Sequence, residues 1–267
     1  MKRPIGIIGG SGVKSILKGA QKILGTPYGP TPNLTMGEID SRPAVFLPRH
    51  GENHSSPPHK VNYRANIWGL KSLGVERIIA TNAVGAIDQQ LTLGEIVVPS
   101  DIVDVTKSRI GTFYESSAVT HIDVSQPYCP KIREILTSST LATGRSRPKD
   151  VVMACTEGPR YETSAEIKML RTMGCQIVGM TGAPEAFLAR ELEMCYASIS
   201  FVSNMAAGLQ RTLSAREVEE KGHETSQVLN KILAGAIAKI PESRKDCPCG
   251  SALAHAQLKR EETQEIA

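Results

Sequence analysis

The densest chemistry in this chain lies in Pro48-Arg49-His50-Gly51-Glu52-Asn53-His54 and, just beyond, Pro57-Pro58-His59-Lys60-Val61-Asn62-Tyr63-Arg64. Two arginines and three histidines fall within sixteen residues at the end of an apolar run. Such a donor-rich loop suits phosphate, because guanidinium grips two of its oxygens at once. The same residues also read as a solvated polar loop, or as metal ligands drawn from His50, Glu52, His54 and His59. That last spacing matches no zinc helix of the H-E-x-x-H kind, so no metal is expected.

Five further motifs set small or polar residues where an apolar run gives way to a loop, which is where sites are commonly built. Gly6-Ile7-Ile8-Gly9-Gly10-Ser11-Gly12 leads a short strand into a turn whose N–H groups fit an anion, with the Ser11 hydroxyl as an added donor. It lacks the G-x-G-x-x-G spacing of a dinucleotide site, and a plain glycine turn fits equally well. Ala80-Thr81-Asn82-Ala83-Val84-Gly85-Ala86 opens a second strand end into residues small enough for backbone to approach a ligand.

Thr156-Glu157-Gly158-Pro159-Arg160-Tyr161-Glu162-Thr163 precedes a helix that Thr163 or Ser164 caps. Tyr161 suits stacking on a flat heterocycle and Glu162 suits accepting from a ring N–H. They read as well as a core aromatic and a helix-start carboxylate. Gly179-Met180-Thr181-Gly182-Ala183-Pro184-Glu185 and Ser203-Asn204 complete the set; an Asn such as Asn204 at a strand end is ordinarily a turn residue.

These loops need a scaffold, and the chain supplies one of α/β type. Strands are expected at Ile5 to Ile8, Ala44 to Leu47, Arg77 to Thr81, Glu95 to Val98, Val151 to Cys155, Ile177 to Met180 and Tyr196 to Val202. Helices are expected at Arg64 to Leu73, Pro130 to Ser139, Thr163 to Met173, Pro184 to Glu193 and Ala215 to Ile240. Residues 1–240 form one domain on this reading. Residues 241–267 form a polar, mobile or peripheral tail that carries Cys247-Pro248-Cys249.

A net charge of +4 over 267 residues, with Lys and Arg dispersed, argues against a nucleic-acid partner. No apolar run approaches the roughly 20 residues of a membrane helix, so a cytoplasmic protein without a membrane partner is expected. The six cysteines include no C-x-x-C pair, and their redox state stays open.

Taken in order, G-G-S-G, P-R-H-G, N-Y-R-A-N, E-G-P-R-Y-E-T, M-T-G-A-P-E and S-N resemble the trimeric purine nucleoside phosphorylase and methylthioadenosine phosphorylase family from Ile5 to Gly208. The resemblance implies a single-domain α/β phosphorylase fold, a central mixed sheet flanked by helices, in a homotrimer or homohexamer. It implies phosphate among Ser11, Arg49, His50, Asn82, the Ala83 backbone and Thr181. The nucleoside would lie among Met180, Tyr161, Glu162 and Asn204, with His121 reaching a neighbouring subunit's sugar. Inorganic phosphate would be a co-substrate, with no cofactor and no metal.

Adenine-type members resemble one another in carrying Asp where this chain has Asn204 and again where it has Ala206; this chain lacks both. A 6-oxopurine offers N1–H to the Glu162 carboxylate and N7 or O6 to the Asn204 amide. Adenine would leave the carboxylate without a donor, a mismatch of roughly 1 to 3 kcal/mol. Inosine and guanosine, or their 5'-methylthio relatives, are the expected substrates. A 5'-methylthioadenosine phosphorylase and a metal-dependent hydrolase built on the histidine loop are the alternatives. Resemblance to archaeal members also suggests structural disulfides, Cys129 with Cys195 as one pair and the tail cysteines as others.

Overall fold

Strand β1, Ile5–Gly9, is apolar at nearly every position and buried throughout, as a strand paired on both sides must be. In the computed structural model, which describes residues 2–11, 13, 16–116, 119–244 and 247–257, β1 lies parallel between β6 (Arg42–Pro48) and β7 (Arg77–Ala86). Beyond β6 the sheet continues antiparallel through β5 (Leu34–Ile39) to β2 (Ala20–Lys22). A small hairpin, β3 (Gly25–Thr26) with β4 (Gly29–Pro30), stands apart.

On the other side, β7 is followed by β11 (Cys195–Met205), β8 (Ile96–Asp104), β9 (Asp150–Cys155) and β10 (Ile177–Gly179). β10 pairs back, antiparallel, onto β7. Five strands therefore close on themselves and hide both edges. Helices α1 (Tyr63–Ser72) and α4 (Gly182–Glu191) contribute to a core that includes Ile67, Leu70, Ala186 and Leu188. Helices α2 (Pro130–Leu141) and α5 (Ala215–Lys239) contribute Ile132, Leu136, Leu229 and Ile232 to a second core. Helix α3 (Ser164–Thr172) closes a third, through Ile167 and Leu170. Among the described residues, no helix is long and apolar enough to cross a membrane.

All seven expected strands and all five expected helices form. β7, β8 and β11 run on past the expected apolar stretches into polar residues, and β6 is extended at both ends. β8 carries a bulge between Pro99 and Asp101 that accommodates the proline within a paired strand. The four small strands β2 to β5 were not expected. β5 and β6 turn through Asp40 and Ser41, both left-handed at φ 48° and 60°, a two-residue hairpin made without glycine.

Of the two expectations for the tail, mobile or peripheral, its described part fits the peripheral one. Cys249 and Ala256 are buried, and Leu253 donates its N–H to Glu193, so the described part of the tail is docked on the domain. Residues 258–267 and Gly12, the last residue of the first glycine motif, lie outside the described residues.

Candidate active site

β7 is the spine of a cavity of about 990 Å³. Its parallel neighbour β11 brings Asn204 opposite Gly85, while antiparallel β10 runs down the other side and delivers Thr181 against Asn82. Positions 82 and 85 are three residues apart, about 10 Å along an extended strand, which leaves room for a sugar between the two ends.

At the Asn82 end the cavity is walled by Ser11, Arg49, His50, Asn82, Ala83 and Thr181, the six residues expected to surround phosphate. The glycine turn packs tightly here: the Gly10 N–H donates to the Thr81 hydroxyl at 2.9 Å, and a Cβ on Gly10 would collide with the Thr81 carbonyl. The Ser198 hydroxyl donates to Oδ1 of Asn82 at 2.5 Å, which turns the Asn82 amide to donate to the Thr181 hydroxyl at 2.9 Å. Having accepted that bond, Thr181 keeps its own hydrogen for a ligand. The Ser11 hydroxyl lies 3.0 Å from Nε2 of His54.

Arg49 departs from the expectation that its fork grips phosphate. Its Nε and Nη2 donate to the two carboxylate oxygens of Glu185 at 2.7 and 2.8 Å, and Nη1 donates to the Thr81 carbonyl at 2.9 Å. Both side chains are wholly buried, and a guanidinium taken out of water requires a counter-charge. Burial opposes the Arg49 charge, but Glu185 outweighs it and the pKa rises. Tyr196 donates its hydroxyl to Glu185 at 2.7 Å and fixes the carboxylate.

His50 is neutral for a definable reason. Burial, reinforced by the Arg49 charge, lowers its pKa to about 4. Nδ1 sits 2.8 Å from the Ser56 carbonyl and must carry the proton to donate there, which leaves Nε2 a lone pair. His54 stacks on His50 with centroids 4.4 Å apart, and burial lowers its pKa too.

At the Gly85 end stand Tyr161, Glu162, Met180, Asn204 and Ala206. Burial raises the Glu162 pKa, and the Thr156 hydroxyl donates to the carboxylate at 2.7 Å. A register shift between Val202 and Asn204 aims Asn204. Its Oδ1 accepts from Ser203 at 2.7 Å and its Nδ2 donates to the Met205 carbonyl at 2.9 Å, leaving one amide hydrogen for a ligand. Gly85 leaves room for that amide, since a Cβ there would stand 3.1 Å from Nδ2 and press on it.

Several supports had no role in the sequence reading. Arg109 bonds the carbonyls of Thr156, Glu157 and Ala183 at 3.2, 2.7 and 2.6 Å, tying the loop before α3 to the first turn of α4. The first turns of α5 wall the cavity through Ala215, Val218, Glu219 and His223. Glu185, Thr81 and Ser198 likewise had no assigned role. His121 does not line this cavity; it is exposed, and its N–H donates to the Ala256 carbonyl at 2.8 Å. His50, Glu52, His54 and His59, the ligands of the metal reading, do not converge as a set of three or more ligating atoms. Among the described residues, the one convergence of three or more metal-ligating groups lies elsewhere.

Comparison with known proteins agrees with this architecture. The chain is 46% identical over 265 residues to the "Probable S-methyl-5'-thioinosine phosphorylase" of Methanothermobacter thermautotrophicus, covering 97% of this chain and 92% of the relative. It is 45% identical over 259 residues to the 6-oxopurine nucleoside phosphorylase of Pyrococcus furiosus, covering 93% and 97% of the two chains. A crystal structure of methylthioadenosine phosphorylase from an antarctic soil metagenomic library superposes with a TM-score of 0.89 at 32% identity, over 96% of this chain and 93% of that one. With the family match running from residue 4 to residue 238, the chain belongs to the Phosphorylase superfamily.

Proposed function

We propose that this enzyme phosphorolyses 6-oxopurine nucleosides, inosine and guanosine, to the free base and ribose 1-phosphate, with 5'-methylthioinosine as a further substrate. One observation carries the reading: Glu162 and Asn204, whose carboxylate and amide suit N1–H and N7 or O6 of a 6-oxopurine, line one cavity together with an anion-type donor set, and Ala206 brings no carboxylate to it. Relatives named for 6-oxopurine nucleosides and for methylthioinosine support it.

In this reading phosphate lies beneath C1', held by the Ser11 and Thr181 hydroxyls and the Asn82–Ala83 backbone, with Nε2 of His50 accepting from a P–OH group. Arg49 supplies positive charge from behind, positioned by Glu185, instead of a two-point grip. The C1'–N9 bond breaks with its electron pair going to the purine, and a phosphate oxygen forms the new bond to C1'. The oxocarbenium-like state between is stabilised by the phosphate charge below it. Glu162 accepts from N1–H, and the free Asn204 hydrogen meets the charge that develops at N7 or O6, an interaction strongest in the transition state. Met180 and Tyr161 flank the sugar and base. The reaction needs no cofactor, no metal and no covalent protein intermediate.

The same reading makes the chain a cytoplasmic homotrimer or homohexamer, in which the exposed His121 serves a neighbour's site. Light scattering on the eluted protein measures that assembly. The deciding assay is hypoxanthine release from inosine and from 5'-methylthioinosine, with and without phosphate. Release is expected only with phosphate; equal release in phosphate-free buffer overturns the reading. A 5'-methylthioadenosine phosphorylase, the activity of the superposed metagenomic enzyme, would instead release adenine.

A further inference from the structure

Four of the six cysteines meet at one point, at the start of β11 and outside the cavity that holds the mechanism's residues. Cys129 is the N-cap of α2, Cys195 begins β11, and Cys247 and Cys249 flank Pro248 in the docked tail. Their sulfurs all lie within 4.8 Å of one another, with Cys129 to Cys247 at 3.5 Å and Cys195 to Cys247 at 3.4 Å. Three of the four are buried and all six cysteines of the chain are free thiols in this structure. A regular tetrahedron of thiolates about 2.3 Å from a central zinc ion sets its sulfurs roughly 3.8 Å apart. A disulfide would bring two of them to about 2.05 Å and leave the others to pair separately.

The surroundings suit an anionic cluster. A zinc ion held by four thiolates carries a net charge of −2, formed as four S–H protons leave. Arg77 and Arg244 line the adjoining cavity together with Cys129, Cys195 and Cys247. Arg77 is buried, bonds the Glu242 carbonyl, and pairs with no carboxylate among the described residues. Cys129 lies at a helix N-terminus, where the dipole favours a thiolate.

We propose that Cys129, Cys195, Cys247 and Cys249 form a structural tetrathiolate site for Zn2+, which staples the C-terminal segment to the start of α2 and of β11. The site has four protein ligands and no open position, so its role is mechanical. The segment it holds continues to Ala256, whose carbonyl accepts from His121, and to Gln257, which bridges to Thr120. The staple therefore reaches the loop that carries His121.

The test uses the full chain, purified with zinc under reducing conditions and analysed for metal by plasma mass spectrometry. About one zinc per chain is expected, together with the near-ultraviolet charge-transfer and visible bands of tetrahedral cobalt thiolate after exchange with Co2+. Cys247→Ser, at the partly exposed corner, is expected to lose those bands, while Cys175→Ser, remote from the cluster, keeps them. Substoichiometric zinc after reconstitution, or a wild-type cobalt spectrum without thiolate bands, overturns the proposal. So does alkylation and mass mapping that finds the four sulfurs joined in two disulfides under the same conditions. The wild-type spectrum does not depend on any variant folding, and neither readout depends on nucleoside turnover.

Discussion

Arg49 and Glu185 stand 136 positions apart in sequence and meet as a wholly buried two-point ion pair, at 2.7 and 2.8 Å. Arg49 is thereby held rigidly behind the expected phosphate position, its charge maintained in a place that burial would otherwise disfavour. The pair links the end of β6 to the first turns of α4, so one contact ties the phosphate end of the cavity to α4.

Glu185→Gln should therefore affect both stability and phosphate affinity. Leaving a buried charge unpaired costs about 3 to 5 kcal/mol, and amide hydrogen bonding will recover part of it. For a loss of 3 kcal/mol the melting temperature should fall by roughly 6 to 12 °C in a domain of this size. The KM for phosphate should rise at least ~10-fold, with a smaller change in the KM for inosine. Thermal melts and initial rates at varied phosphate measure both, and an unchanged phosphate KM would show that Arg49 needs no positioning.

Asn204 has one amide hydrogen left after its bonds to Ser203 and Met205, and that hydrogen is assigned to the departing base. Asn204→Ala should lower kcat on inosine by at least ~100-fold, the scale for losing one transition-state donor. Asn204→Asp combined with Ala206→Asp should move preference toward adenosine. Steady-state rates on both nucleosides decide it: unchanged turnover by the alanine variant, or no gain on adenosine by the double variant, removes Asn204 from the base-reading role.

What the sequence disclosed follows from how far each signal reaches along the chain. β1, β7 and β11 are buried between neighbours and read as continuous apolar runs, so they were legible. β5 was not, because it alternates weakly and turns into β6 through Asp40 and Ser41, which carry no hairpin signature. The loop motifs disclosed Ser11, His50, Asn82, Thr181, Glu162 and Asn204, which the fold gathers into one cavity. Contacts decided by tertiary packing stayed hidden. Glu185 and Arg109 carried no assigned role, because their partners lie 136 and 47 to 74 positions away along the chain. The four cysteines gave no metal spacing because they converge from three separate segments.

His50 makes a prediction about acid stability. Its folded-state pKa, about 4, lies below the ordinary 6.5, because burial and Arg49 disfavour the charged ring. The unfolded chain therefore binds a proton that the folded chain refuses. This contribution is fully present above about pH 6.5, is lost as pH falls toward 4, and levels off below that. His50→Asn, whose amide can still donate to Ser56, should remove that slope. Urea unfolding of both proteins at pH 7 and pH 4.5 measures it. Parallel losses in the two would mean that His50 titrates normally.

The tail offers the last test, because it separates holding the domain together from serving the site. Truncation after Ser251 keeps all four clustered cysteines but removes the Leu253 bond to Glu193, the Ala256 carbonyl that fixes His121, and the Gln257 bridge to Thr120. If His121 reaches a neighbour's sugar, releasing its loop should raise the nucleoside KM several-fold, because the side chain is no longer held where the sugar lies. The phosphate KM should stay constant, since Ser11, Asn82 and Thr181 are positioned by β1, β7 and β10. His121→Ala in the full chain should reproduce the same change, and combining it with the truncation should add little. Additive effects would mean that the tail acts on the site by some route other than His121.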